Sequence, residues 1–117
     1  MKIAIFKTVY QGSDSISNFM DFYYSFQMPY LASDFLAKGL SPLEIIKAVA
    51  KAIKAAKSSG IDTSKHFRPV FSAMNQEIIQ DCKLSNLGYG LVLMNADEAI
   101  SAVGEFQVSI LKQLYHI

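Results

Sequence analysis

The stretch SPLEIIKAVAKAIKAAKSSG, residues 41–60, decides how the chain is read. Ser41 suits an N-cap, because its hydroxyl can accept from one of the orphan amides of a first helical turn. Pro42 suits the first helical position, where no amide donor is needed. Glu44 stands three residues after Ser41, the spacing at which a carboxylate reaches back to the cap amide. Gly60 is a natural stop. Between these signals Ile45, Ile46, Val49, Ile53 and Ala56 line one side. Lys47, Lys51, Lys54 and Lys57 fall largely on the other, at spacings of four, three and three. The segment therefore reads as an amphipathic helix with one apolar and one cationic face.

Working outward, ASDFLAKG (residues 32–39) reads as a short helix capped near Ser33 or Asp34 and stopped by Gly39. ISNFMDFYYSFQM (16–28) supports two readings. Ile16, Phe19, Tyr23 and Phe26 recur at helical spacing, and Phe22, Tyr24, Phe26 and Met28 alternate as in a strand. Helix leads on pattern, because the stretch is long and lacks Gly and Pro, with a cap near Ser13 to Ser15. Pro29 ends it either way. Lys2 to Tyr10 alternates partly and is rich in β-branched and aromatic residues, so it reads as a strand, followed by a QGSDS turn.

Downstream, IDTSKHFRP (61–69) is a polar connection, and VFSAMNQEIIQDCKLSN (70–86) reads as weakly helical. Glu77 and Asp81 would then share one wet helix face. LGYGLVLM (87–94) fits a strand or a buried helix, since its two glycines favour neither. The remainder, from Asn95 on, reads as a final helix capped at Asp97. Its apolar stripe is Ile100, Val103, Phe106 or Gln107, Ile110 and Leu114. The expectation is an α+β, predominantly helical single domain spanning residues 1–117, with a short N-terminal strand or hairpin.

Composition narrows the function classes. At 117 residues the chain suits one domain, and 51% hydrophobic residues with a mean hydropathy of +0.23 exclude disorder. That apolar fraction is high for a small monomer. It raises the expectation of an exposed apolar patch that meets a protein partner or a second copy. No run approaches the ~18 apolar residues of a membrane span. The single cysteine, Cys82, excludes an internal disulfide framework, and with no visible signal peptide the expected compartment is the cytoplasm.

Charge is unevenly placed. From Lys47 to Arg68 the chain carries Lys47, Lys51, Lys54, Lys57, Lys65 and Arg68 against one acid, Asp62. Six bases and one acid give this segment +5, so within a net charge of +1 the remainder is at −4. A four-lysine stripe spans about 15 Å at a rise of 1.5 Å per residue. That reaches several backbone phosphates or an acidic protein surface. A solvated helix face that maintains solubility has the same pattern. Lysine without interleaved arginine favours charge attraction over base reading.

No residue set carries recognised catalytic or metal chemistry. His66 has one acid nearby, Asp62, and no second histidine at ligand spacing; His116 lies at the end of the last helix. A zinc site needs about four ligands. Cys82 reads as a buried structural thiol rather than a nucleophile. Glu77, Asp81, Asp97, Glu98 and Glu105 match no recognised acid–base spacing, and the glycines form neither a phosphate loop nor a dinucleotide fingerprint. The expectation is a non-enzyme with no cofactor and no metal.

Two stretches, KAIKAAKSSGIDTSKHF (51–67) and DCKLSNLGYGLVLMNADEAISAVGEFQ (81–107), carry a family pattern. A lysine- and alanine-rich helix runs into Ser59-Gly60 and then His66-Phe67. Asp81, Lys83-Leu84-Ser85, a hydrophobic block, Asn95-Ala96-Asp97 and Gln107 follow. Upstream, Ala32 and Asp34 match an Ala-x-Asp helix entry. The chain from about residue 30 to 113 resembles the DNA-damage-inducible protein D family and related phage antirepressor (BRO-like) N-terminal domains. It departs from them at Cys82, Asn86, Leu87 and Gly88, where tyrosine, arginine and further aromatics are usual, and at Glu98, where proline is common. Such proteins normally continue into a second region, so the resemblance suggests a stand-alone or diverged domain. It implies that Leu84 to Met94 is helical and that FYYSFQM (22–28) belongs to a β-hairpin. It also implies a regulatory role in phage biology or the DNA-damage response, acting on DNA or a nucleoprotein complex without catalysis.

Overall fold

The structure, a computed structural model, describes residues 12–117, and at residues 12–15, 17 and 74 the backbone alone. The N-terminal strand expected over Lys2 to Tyr10, and the side-chain cap expected near Ser13 to Ser15, lie outside this description. From Gly12 the order is helix α1 (Gly12–Phe26), strand β1 (Tyr30–Leu31), a 3-10 segment (Ala32–Lys38) and helix α2 (Pro42–Ser58). A short 3-10 turn (Thr63–Lys65), strands β2 (Phe67–Met74) and β3 (Glu77–Leu84), and helices α3 (Asn86–Met94) and α4 (Ser101–Tyr115) follow. Helices dominate, and among the described residues the strands form one antiparallel sheet in the order β1-β3-β2. The fold is α+β and predominantly helical.

Helix α2 forms where its sequence signals place it. The Ser41 hydroxyl accepts from the Glu44 amide, and the Glu44 carboxylate accepts from the Ser41 amide at 2.7 Å, closing the capping box. The last turn gives way at Gly60, with φ +86°. Ile45, Ala48, Ala52 and Ala56 are buried, and three of these four are alanines, so α3 approaches closely. The core is completed by Phe35, Leu84, Val92, Leu93 and Val103, all nearly fully enclosed. Phe35 stacks on Tyr89, which stacks in turn on Tyr30, with ring centroids 4.8 and 4.1 Å apart.

Four expectations are corrected. Of the stretch 70–86, read as weakly helical, residues 70–84 are a hairpin and only Asn86 is helical, as the first residue of α3: Phe67–Met74 pairs with Glu77–Leu84 in register from Phe67↔Leu84 to Met74↔Glu77. Asn75 and Gln76 join the strands with φ of +52° and +66°, a two-residue turn whose twist suits a hairpin. Glu77 and Asp81 are therefore strand residues, not neighbours on a helix. FYYSFQM is not a hairpin, since α1 runs through Phe26 and only Tyr30–Leu31 joins the sheet, beside Leu84 and Lys83. Asp97 does not cap α4 directly. Its carboxylate accepts from Ala99 in the turn before the helix, and Ile100 holds the cap position without a side-chain bond. Likewise Leu31, not Ser33 or Asp34, precedes the first 3-10 turn, and the Asp34 carboxylate accepts from the Leu31 amide at 2.9 Å.

LGYGLVLM lies in helix α3, as the resemblance implies for that stretch, but the helix does not begin at Leu84: Leu84 ends β3 and Ser85 is the cap. A Cβ on Gly88 would stand 2.6 Å from the His66 carbonyl oxygen, so a glycine is needed where α3 passes the start of β2. The α4 stripe is only half used. Val103 is buried and Ile100 and Phe106 pack on the core, whereas Leu114 is exposed.

Candidate anion-binding face

Lys47, Lys51, Lys54 and Lys57 all stand exposed on α2, on the side away from Ala48, Ala52 and Ala56. The helix positions them without further support: its alanine face fixes the rotation, and the opposite face is left to water. Among the described residues the one ion pair is Arg68–Asp21, at 3.5 Å, so no lysine of this row is held by a carboxylate. The row is not uniform, however. Lys47 and Lys51 border a recess of about 530 Å³ that they share with Glu44, Asp97 and Glu98. Those carboxylates offset the field at that end. Lys54 and Lys57 do not line the recess and carry the less compensated part of the row.

Lys65 and Arg68 do not extend the row as free cations. The Lys65 ammonium lies over the Tyr24 ring, 5.5 Å from its centroid, and Arg68 is half-buried against Asp21. Both engage α1. Nearby, Asp62 caps the turn that precedes His66. Its carboxylate accepts from the Ser64 hydroxyl and amide, and these bonds lower its pKa below the usual 3.8. Asp62 thus stays ionised and is committed to its own turn.

The residues that carry the family resemblance act as joints in this structure. Ser85 is the N-cap of α3, accepting from the Gly88 amide at 3.0 Å, and its hydroxyl meets His66 Nδ1 at 2.7 Å. The Ser85 hydroxyl thus joins the start of α3 to the His66 ring. Lys83 donates to the Ser25 carbonyl and hydroxyl, tying β3 to α1. Asn95 donates to the Leu91 carbonyl, and Gln107 donates to the Leu93 carbonyl, fastening α4 to the end of α3. Asp81 accepts from the Ser33 amide and hydroxyl, the Ser72 hydroxyl and the Cys82 amide. Its carboxylate joins three segments and has few lone pairs left for other work.

Cys82 is half-buried, and that burial raises its thiol pKa above the usual 9.0. It is not a ready thiolate; its thiol donates to the Lys83 carbonyl, and His66 Nδ1 meets Ser85 instead. Among the described residues no cluster of three or more His, Cys, Asp or Glu has metal-holding geometry, and no helix is long and apolar enough to cross a membrane.

An open groove of about 590 Å³ runs between α2 and β3, with Ile45, Val49 and Ile53 on one wall and Ile79 to Cys82 on the other. Its lining is almost wholly apolar. The helix periodicity marked Ile45, Val49 and Ile53 as inward, but nothing local to residues 79–82 signalled that they form a strand opposite them.

Comparison of the chain with protein-family models, with curated proteins and with solved structures finds no match.

Proposed function

We propose that this is a non-enzymatic regulatory domain of phage or DNA-damage-response type, which contacts DNA or a DNA-associated protein through the exposed face of α2. The observation that carries the reading is the row Lys47, Lys51, Lys54 and Lys57, solvent-facing, outside ion pairs among the described residues, and rigidly spaced on a capped helix. The +5 charge of the segment from Lys47 to Arg68 adds to it, as does the resemblance stated above. Contact of this kind is electrostatic and independent of base sequence. With Glu44, Asp97 and Glu98 beside Lys47 and Lys51, the phosphate contacts concentrate at Lys54 and Lys57. Lys65 and Arg68 contribute after their contacts with Tyr24 and Asp21 give way.

The test is fluorescence anisotropy with labelled duplex and single-stranded DNA across a salt series. Each neutralised duplex phosphate steepens the log–log slope by about 0.9. The Lys47/Lys51/Lys54/Lys57→Glu variant is expected to lose binding. No binding at ~50 mM salt, or a slope unchanged in the variant, refutes the reading.

A second reading, a protein-interaction or self-assembly module, is favoured by another observation. Ile16, Phe19, Phe22, Tyr23 and Phe26 on α1 are all substantially exposed, an apolar row unusual for a monomer. A concentration-independent monomer in light scattering removes the self-assembly form of it.

A further inference from the structure

Helix α4 outruns the core that anchors it. Val103 is buried, Phe106 packs on the core, and Gln107 donates to the Leu93 carbonyl at the end of α3. From Val108 on, every residue is exposed. The helix nevertheless runs unbroken to Tyr115, so its last turns and the two residues after them form an arm, residues 108–117. The arm is amphipathic. At about 100° per residue, Val108, Ile110, Leu111, Leu114, Tyr115 and Ile117 take one broad side, and Ser109, Lys112, Gln113 and His116 take the other. The six apolar residues are between 37% and 81% exposed. Two turns of helix with no covered face are marginal in water, so the arm calls for a surface to lie on.

The groove between α2 and β3 is such a surface. Amphipathic helices dock by laying anchors at i, i+4 and i+7 into an apolar groove, and Ile110, Leu114 and Ile117 have that spacing. At 1.5 Å per residue, the α2 wall from Pro42 to Ile53 is about 17 Å long and the arm about 14 Å. Asp81 is the one charged residue of the lining, and Ser33, Ser72 and the Cys82 amide already hold its carboxylate. The apolar side of the arm carries no charge, so the contact leaves no ion buried without partners. No α4 residue lines the groove of its own chain. An unbroken helix fixed at Phe106 and Gln107 does not fold back to it, so the arm meets this groove only in another copy.

We propose that residues 108–117 of one copy seat in the α2–β3 groove of a second copy, and that the exchange is reciprocal. Area decides for reciprocity. At about 150 Å² per large side chain, the low end of the aromatic range, six residues a little over half exposed offer about 500 Å². Two arms packed on each other would bury about 1,000 Å² in total, short of the roughly 1,200–2,000 Å² of a stable interface. Two reciprocal arm–groove contacts bury about 2,000 Å² and cover both open surfaces. The exchange closes a two-fold dimer, whereas a one-way contact leaves an arm and a groove open at the ends. This inference is independent of the role proposed for the lysine face, and it places self-assembly away from the α1 row of the second reading.

Cys82 lines the groove and is the one cysteine of the chain, so it reports on an incoming arm. Ile110→Cys, Leu114→Cys and Ile117→Cys are each made in a Cys82→Ser chain, with Ser109→Cys and Gln113→Cys as controls on the polar side. Each is mixed with the native chain and oxidised with copper phenanthroline, and the mixed disulfide is read by mass. Docking raises the local concentration of the thiol, so one of the three is expected to bridge to native Cys82 at least about tenfold faster than either control. Rates equal to the controls in all three overturn the proposal. Light scattering separates the modes of pairing. At about 50 μM, above the micromolar limit for interfaces of this size, the native chain is expected to be a dimer, and a monomer overturns the proposal. Leu111→Asp/Leu114→Asp on the arm and Ile46→Asp on the groove lip are each expected to be monomers with unchanged circular dichroism, since these positions are exposed. A dimer that survives in either variant overturns arm–groove exchange. A dimer lost in Phe19→Asp/Phe22→Asp and kept in the other two also overturns it, and leaves self-assembly standing through α1.

Discussion

Helix α2 buries Ile45, Ala48, Ala52 and Ala56, whereas α1 leaves Ile16, Phe19, Phe22 and Phe26 between 59% and 73% exposed. Both helices carry an apolar row at helical spacing. The difference lies in what each row meets. Small residues on α2 let α3 and the 3-10 segment Ala32–Lys38 close over it. Bulky rings on α1 stay exposed, and α1 is instead moored by polar contacts: Asp21 to Arg68, Ser25 to Lys83, and Tyr24 beneath Lys65. Periodicity thus identifies an amphipathic helix but does not say whether its apolar face is covered.

The largest expected effect sets a ring of the α2 side against a ring of α1. Phe35→Ala should cost about 3–5 kcal/mol in urea unfolding, because Phe35 is fully enclosed and stacked on Tyr89. Phe22→Ala should stay within about 0.5 kcal/mol. Comparable losses at both sites would mean that α1 is covered in solution and the contrast is wrong. Next comes the close approach of α3 to β2. Gly88→Ala puts a methyl 2.6 Å from the His66 carbonyl and should cost about 1–3 kcal/mol; a neutral outcome would show that this packed region yields as readily as α1.

A smaller effect is expected in the hairpin, which stands out from the core much as α1 does. Gln76 holds φ +66°, a left-handed conformation that glycine adopts without strain. Gln76→Gly makes the turn Asn-Gly and should raise stability by about 0.5–1 kcal/mol. A loss would show that the Gln76 side chain makes a contact that holds the arm.

The smallest effect is a pH dependence at the groove. Burial raises the Cys82 pKa, so the unfolded thiol ionises near 9.0 while the folded thiol still keeps its proton. Its contribution to stability is full below about pH 9 and is lost as pH rises through the folded value. Urea melts from pH 7 to 10.5 should show this extra decline in the native chain and not in Cys82→Ser. Identical profiles would mean that the groove is wetter than its lining suggests.

The legible parts of the fold were those specified by neighbouring residues. Ser41, Pro42, Glu44 and Gly60 bracket α2 through bonds spanning three or four positions, and Gly39 ends the preceding 3-10 segment at φ +101°. The β2–β3 hairpin was not legible. Its turn is Asn75-Gln76 rather than the usual Asn-Gly, and its outer half exposes Phe71 and Ile78, so neither turn nor alternation is clear. Of the candidate site, the row on α2 was legible because helix rotation alone places it. That Lys65 and Arg68 turn to α1 could not be read, since Tyr24 and Asp21 lie more than forty residues away in the chain.

Local sequence accordingly settled α2, its cationic face and the helical bias of the domain, because caps and periodicity act over a few residues. The partner of each apolar row, the pairing of β3, the Asp81 junction and the groove beside it depended on which distant segments meet. Those choices rest on side-chain volume and on satisfying buried polar groups across the whole chain, as when the alanines of α2 admit α3 and the aromatics of α1 remain outside.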